Sequence, residues 1–551
     1  MFDKDDLSIK FCWAIAILAT LFRLGLSLTQ YATIYPPLAP LDDDLMTRAA
    51  MSITAGQWLG AYNCLTISKH AGFAVWLAFL HSIKIPYLVG NMAVWAMASA
   101  LAAGALAPAV KRNWGKLAIY LSLLYNPAAS AQYATRVYRD SLFPRLCVMF
   151  FSGIVGAALR HKKKLSSQLP WMLLYGAVFG RIYLFREDGI WVMPFFFAAL
   201  ATVLVIDRKS GRAFLVRSTL VSIAPFVLGA LLIAAYCRQN QKYYGRFIVS
   251  DFDSGEFKAA YGAMTSLEQD SWDPQVAVPE DVRQDLYRNI EMFAGVEEAL
   301  KEPLLMNGYY DKSKGDFRSG AFYWALRSRL DSMGVYRTPQ KAREYYEELT
   351  AEIQKAVDEG RLRTTDGSTK LRRSVTPPIR AEYIAPVLAE TWNGFRLSIL
   401  FKDCDPLAER AVGIYEEEIR PVEEYINQKG AVALIENTET PYLSPARQLT
   451  HGIMRAIRAV YSVLIPVMTV VALIRQIKKL MSDIQLKRVS PDSLLNVVLL
   501  GFIGMALLRS AMIAFMEVSS FGIGTYVMYL STVHPLIILY AVTGTVKSYE
   551  Y

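Results

Sequence analysis

The sequence predicts a polytopic α-helical membrane protein of about ten transmembrane helices, grouped as seven and three around a mostly helical extracytoplasmic domain. Three observations carry this. Of 551 residues, 53% are hydrophobic and the mean hydropathy is +0.24, too apolar for an ordinary soluble protein. The 20% charged fraction is too high for a bare membrane bundle, so part of the chain lies in water. The net charge of +10 is concentrated in short loops, as positive-inside topology requires, which argues against a nucleic-acid groove.

The first span is Phe11–Leu28. The start Asp3-Lys4-Asp5-Asp6 is not the positive n-region of a signal peptide, and Arg23 interrupts the apolar run, so a retained anchor is expected. Further apolar runs long enough to cross lie near Tyr87–Val110, Lys116–Ala134, Leu142–Leu159, Pro170–Phe185, Ile190–Ile206 and Leu215–Tyr236. After a polar stretch come Ile457–Ile474, Leu494–Ala514 and Ile523–Val546.

Basic loops set the orientation. Lys111-Arg112, Arg160 through Lys164, Arg208-Lys209 with Arg212, and Arg475 through Arg488 are expected in the cytoplasm, as are both termini. The segment Ala71–Ile83 is apolar for only about 13 residues and would break the parity if it crossed. It is expected along the outer interface as a juxtamembrane helix. The chain thus divides into a membrane module (1–237, with its acidic first outer loop at 30–86), an extracytoplasmic domain (238–450) and a three-helix membrane segment (451–551).

The outer domain reads as helical. Thr338-Pro339 is an N-cap followed by proline at the first helical position. Ala342, Tyr346, Leu349, Ile353 and Val357 then mark one face, and Gly360 closes the helix. Pro279 opens a second stretch, with Val282, Leu286, Ile290 and Phe293. Strands should be few. The five cysteines lie far apart without C-x-x-C spacing, and only a pair such as Cys64 with Cys404 could bridge outside. No Walker loop, G-x-G-x-x-G or H-E-x-x-H is present, and the five histidines are scattered.

The candidate chemistry lies where outer helix ends meet. Asp42, Asp43 and Asp44 stand in the first outer loop, with Lys69 and His70 just before the interfacial segment. Arg136, Tyr138, Arg139 and Asp140 follow the third run, and Arg186, Glu187 and Asp188 follow the fifth. Arg509 lies toward the outer end of the ninth. Charges at such depths are costly and are functional candidates by default. Arginine and lysine suit a phosphate, and a carboxylate suits a general base or a divalent cation. The combination points to a membrane enzyme acting on a lipid-linked phosphate.

The first span, the acidic loop Asp42-Asp43-Asp44, the basic Lys69-His70 before an interfacial helix and the second acidic loop Tyr138-Arg139-Asp140 resemble the GT-C fold of integral-membrane glycosyltransferases, over roughly residues 1–237. The resemblance implies transfer of a sugar from a polyprenyl-phosphate carrier to an extracytoplasmic glycan, lipid or protein in a bacterial plasma membrane. It also implies an acid of the first loop as catalytic base, Asp43 or Asp44, with Lys69 on the carrier phosphate. A divalent cation, Mg2+ or Mn2+, would be held by Asp44 and Asp140. The usual proline after the basic residue is replaced here by His70-Ala71. Leu45-Met46 and Ala49-Ala50-Met51 suggest a helix with the acids in its first turn, which places Asp42 at the N-cap.

Three other functions use the same features. A glycan polymerase or ligase working from polyprenyl diphosphate would also need arginine-rich outer loops. A transporter of lipid-linked sugars predicts broken helices and midplane charges in repeats, whereas the charges here lie at one face. In a non-catalytic assembly subunit the acids would be inert.

Overall fold

The computed structural model describes residues 8–34, 39–270, 272–301, 309–374, 376, 379–406, 416–429, 444–485, 493–522, 524 and 526–547. The chain runs α1 (Ile9–Thr29), α2 (Asp43–Thr54), α3 (Gly72–Ser82), α4 (Tyr87–Leu106), α5 (Asn113–Leu124), α6 (Gln132–Thr135), α7 (Phe143–Ala158), α8 (Leu165–Phe185), α9 (Met193–Ile206), α10 (Arg212–Ile223) and α11 (Phe226–Tyr244). Then come α12 (Glu256–Met264), α13 (Glu280–Asn289), α14 (Val296–Leu300), the strands β1 (Tyr310–Asp311) and β2 (Asp316–Phe317), α15 (Ser319–Ser332), α16 (Pro339–Asp358), α17 (Ile384–Ile399) and α18 (Glu416–Ile426). The last three are α19 (Pro445–Gln485), α20 (Ser493–Met516) and α21 (Val533–Val546).

Among the described residues seven helices are long and apolar enough to cross a membrane: Ile9–Thr29, Tyr87–Leu106, Gly189–Ile206, Arg212–Tyr244, Pro445–Gln485, Ser493–Ser520 and Val527–Val546. This is a polytopic helical membrane protein. Phe143–Ala158 is apolar but shorter. The expected run Lys116–Ala134 is not one helix. It stops at Leu124, and Asn126 caps a single turn that begins at Pro127, where the ring denies the chain a helical hydrogen bond. α3, at 11 residues, spans about 16 Å and cannot cross a hydrocarbon core of about 30 Å.

α7 is the centre of the membrane module. Nearly every side chain from Phe143 to Ala158 is buried, against α4, α8 and α9. α8 meets α11 so closely that only glycine fits. A Cβ on Gly176 would lie 2.0 Å from the Pro225 carbonyl oxygen, and one on Gly180 would lie 2.7 Å from that of Gly229. Small residues four apart let two backbones touch where lipid provides no hydrophobic drive between helices. α21 packs against α5, α19 and α20, so the C-terminal helices complete the same bundle.

A second core, between Phe257 and Leu362, builds the domain expected outside the membrane and takes in Cys64 from the loop after α2. α16 forms as its sequence requires. The Thr338 hydroxyl accepts the Lys341 amide at 3.2 Å, the five marked residues are buried, and Gly360 turns the chain at φ +74°. The only strands among the described residues are the two-residue pair β1 and β2. The stretch expected as one outer domain divides, however. α11 runs on to Tyr244, past residue 237, while Phe401, Cys404, Ile419, Val422 and Tyr425 join the membrane-side core. All five cysteines are free. Cys64 and Cys404 belong to different cores, and Cys404 Sγ sits 3.4 Å from His534 Nε2.

Candidate functional site

The three adjacent aspartates point to three different partners, because successive residues at a helix start are turned by about 100°. Asp44 accepts from Nε of the exposed Arg48 one turn on, at 2.8 Å. Asp43 is buried, and its two oxygens accept from Arg136 Nε at 3.0 Å each, with Nη2 adding a bond of 2.7 Å to Oδ1. Burial pushes the Asp43 carboxyl up to about 6, with Arg136 opposing. Asp42 makes no side-chain cap bond at the head of α2. Its Oδ1 accepts instead from the Tyr138 hydroxyl at 2.8 Å and from Lys69 Nζ. Burial works to raise the Asp42 carboxyl, but Lys69, Arg139 and Tyr138 outweigh it and hold the group well below the usual carboxylate range.

Arg136 is placed by backbone bonds. Thr33 and Arg136 form a parallel bridge, and the Tyr87 hydroxyl donates to the Arg136 carbonyl at 2.7 Å. Tyr138 lies between two guanidiniums, with Arg136 at 5.1 Å and Arg139 at 5.3 Å from its ring.

The loop after α8 carries a second set. Arg139 Nη1 donates to both Glu187 oxygens, at 2.9 and 2.8 Å. Burial opposes the charged form of Glu187, yet Arg139 and the nearby His70 hold its carboxyl down to about 2. Arg186 binds Asp140 and, through Nε at 2.8 Å, Asp188, which also accepts from Arg509 Nη1 at 2.5 Å. Asp188 is held low by Arg186 and Arg509 against the pull of burial. His70 is fully buried. Its amide donates to Glu187 at 3.2 Å, Nδ1 meets the Tyr183 carbonyl at 2.5 Å, and Nε2 faces Asp253 at 3.6 Å. A carbonyl only accepts, so Nδ1 carries a proton.

These side chains border a cavity of about 700 Å³ between helix ends of the membrane module and the domain built on the second core. Asp42, Lys69, Tyr138, Arg139, Arg186, Glu187 and Asp188 form its membrane-side wall, with Tyr529. Asp43, Asp44, His70, Arg136, Asp140 and Arg509 lie outside that wall. Asp140 and Arg509 act on the cavity through Arg186 and Asp188, and His70 through Glu187. Asp188, Tyr529 and Asp253 complete the site. Asp188 and Asp253 are flagged in sequence only by being acids near a helix end.

A divalent cation finds no ready donor set. Asp44 is paired with Arg48, away from the cavity, and Asp140 with Arg186. Asp42, Glu187 and Asp188 are each matched by lysine or arginine. No group of three His, Cys, Asp or Glu suited to a metal occurs among the described residues.

No family model matches the chain, and no curated protein matches it. Among solved structures, the crystal structure of ArnT from Cupriavidus metallidurans in the apo state is similar at a TM-score of 0.31 and 14% identity. The match covers 97% of this chain and 78% of that one. A likeness at that level leaves the function to be argued from the site itself.

Proposed function

We propose that this protein is a membrane glycosyltransferase that takes a sugar from a polyprenyl-phosphate carrier at the outer membrane face and passes it to an extracytoplasmic acceptor, with Asp42 as general base. One observation supports it above the others. Asp42 is the first-loop aspartate that lines the cavity, beside Lys69 and Arg139, where a carrier headgroup would enter from the bilayer.

In this reading the acceptor oxygen attacks the anomeric carbon as that carbon's bond to the phosphate oxygen breaks. The bonding pair leaves on the phosphate, and the acceptor proton passes to the Asp42 carboxylate. Lys69 holds Asp42 in the resting cavity and depresses its basicity. A phosphate is a better partner for the ammonium group, so carrier binding draws Lys69 away and leaves Asp42 more basic when an acceptor arrives. Arg139 and Arg186 then flank the departing phosphate.

The test is incubation of the purified protein with polyprenyl-phosphate-linked labelled sugars and a membrane extract as acceptor source. Label moving from the carrier to acceptor, about a hundredfold or more slowly with Asp42→Asn, is expected. A wild-type protein that neither binds nor consumes any carrier-linked sugar would overturn the reading.

A further inference from the structure

The cavity has a second lobe that the transfer step leaves unused. Its wall belongs to the outer domain and includes Lys258, Trp272, Lys370, Arg372, Arg380 and Tyr383. Acids are present there too, but they are occupied. Asp273 pairs with Lys314 at 2.8 Å, Asp253 accepts from the Tyr183 hydroxyl and faces His70, and Asp366, near Arg372, accepts the Ser368 amide at 3.0 Å. Among the described residues, Lys370, Arg372 and Arg380 have no carboxylate partner in an ion pair. Arg372 Nη2 donates to the Thr376 carbonyl at 2.6 Å, a neutral acceptor. The Arg380 guanidinium sits 4.6 Å from the Trp272 ring, which is 5.6 Å from Tyr383 and remains 37% exposed. Burial and the neighbouring Arg380 both push the Arg372 guanidinium down, and the nearby Asp366 opposes them only in part. On the same wall, Gln269 Oε1 is buried without a hydrogen-bond partner.

We propose that this lobe is the acceptor subsite and that it takes a sugar ring bearing a negative charge, the anion held by Arg372 and Arg380 and the ring set against Trp272. Two guanidiniums on one wall offer planar donors that match a carboxylate or a phosphate. An exposed indole offers an apolar face to the ring's C–H groups, and Gln269 offers an acceptor to a ring hydroxyl. A neutral sugar would leave the arginines unmatched. Only the word acceptor rests on the transferase reading, since binding here does not require transfer.

The experiment uses the full-length protein in detergent at low salt and measures binding of three probes by calorimetry and tryptophan fluorescence. Trigalacturonate carries carboxylates, mannose 6-phosphate carries a phosphate, and maltotriose is neutral. At least one charged probe should bind about tenfold or more tightly than maltotriose, and which one does so identifies the anion. Arg372→Gln and Arg380→Gln should each weaken that probe about tenfold. Arg380→Lys should recover part of the loss, and Trp272→Ala should weaken charged and neutral rings alike. Equal binding of all three probes to the wild type overturns the proposal and needs no variant to fold. So does a folded Arg372→Gln, Arg380→Gln double variant that binds the charged probe as the wild type does. Charged-sugar binding without any transfer from a carrier would retain this subsite and sink the transferase reading. Transfer without charged-sugar preference would do the reverse.

Discussion

Arg136 grips Asp43 with two prongs, Nε and Nη2, at 2.7–3.0 Å from its carboxylate oxygens, and so ties the first turn of α2 to the strand-like segment that leads into Tyr138. The pair is 93 residues apart in sequence and lies outside the cavity wall. Its work is to fix the direction of the flanking Asp42 and Tyr138, which do face the cavity.

Breaking that pair should therefore cost stability more than chemistry. Arg136→Ala leaves a buried carboxylate unmatched, and Asp43→Asn leaves a half-buried guanidinium short of its anion. Either loss is expected to be on the order of 3–5 kcal/mol. The double variant Asp43→Asn, Arg136→Met should lose clearly less than the two singles combined, because neither charge is then stranded. Thermal unfolding in detergent reads all three. Full additivity would mean that the pair does not act as a unit.

The Arg139–Glu187 pair makes a prediction about acid. The folded carboxyl is held near 2, below its ordinary value of 4.5. Its stabilising contribution is therefore complete above about pH 4.5 and is lost as the pH falls from there toward 2. With a side chain 29% exposed, the contribution is on the order of 2–3 kcal/mol. Glu187→Gln should be less stable than the wild type at pH 7, and the gap should close as the pH falls through that window. A gap that stays constant from pH 7 to pH 3 would show that the carboxylate's charge is not what matters.

What could be read from sequence followed the range of the interactions. α16 was legible from Thr338 to Gly360 because its cap, its proline and its apolar face are all local. Asp44 with Arg48 is also local, four residues apart, and that is an aspartate the structure keeps out of the cavity wall. The aspartates that look inward or bury themselves are steered by Lys69, Tyr138 and Arg136, at separations of 27, 96 and 93 residues, which no local pattern reveals. Choosing among three adjacent acids was thus beyond the sequence. The break at Pro127 had a visible signal in Asn126-Pro127, overridden by the apolarity around it. Trp272, Arg372 and Arg380 had none, since they meet only through the fold of the domain that carries all three.

The sharpest prediction separates Asp42 from its neighbours and from Lys69. An acceptor hydroxyl must lose its proton as attack proceeds, and general-base catalysis contributes on the order of 10²–10⁴ in rate. Asp42→Asn keeps the size of the side chain and an oxygen for Tyr138, so donor affinity should change little while turnover falls about a hundredfold or more. Asp44→Asn, whose carboxylate is spent on exposed Arg48, should remain near wild type. Lys69→Met should behave differently from both. It removes one charged hydrogen bond to the carrier phosphate, for about ten- to a hundredfold in donor affinity. It also removes the cation that holds Asp42 low, so the Asp42 carboxyl of the free enzyme should rise. The acid limb of kcat/KM against pH should accordingly move to higher pH in Lys69→Met, a shift that a merely structural lysine would not produce. Normal turnover by a folded Asp42→Asn protein would remove Asp42 as the base. An acid limb that stays in place in Lys69→Met would break the proposed coupling between carrier binding and the basicity of Asp42.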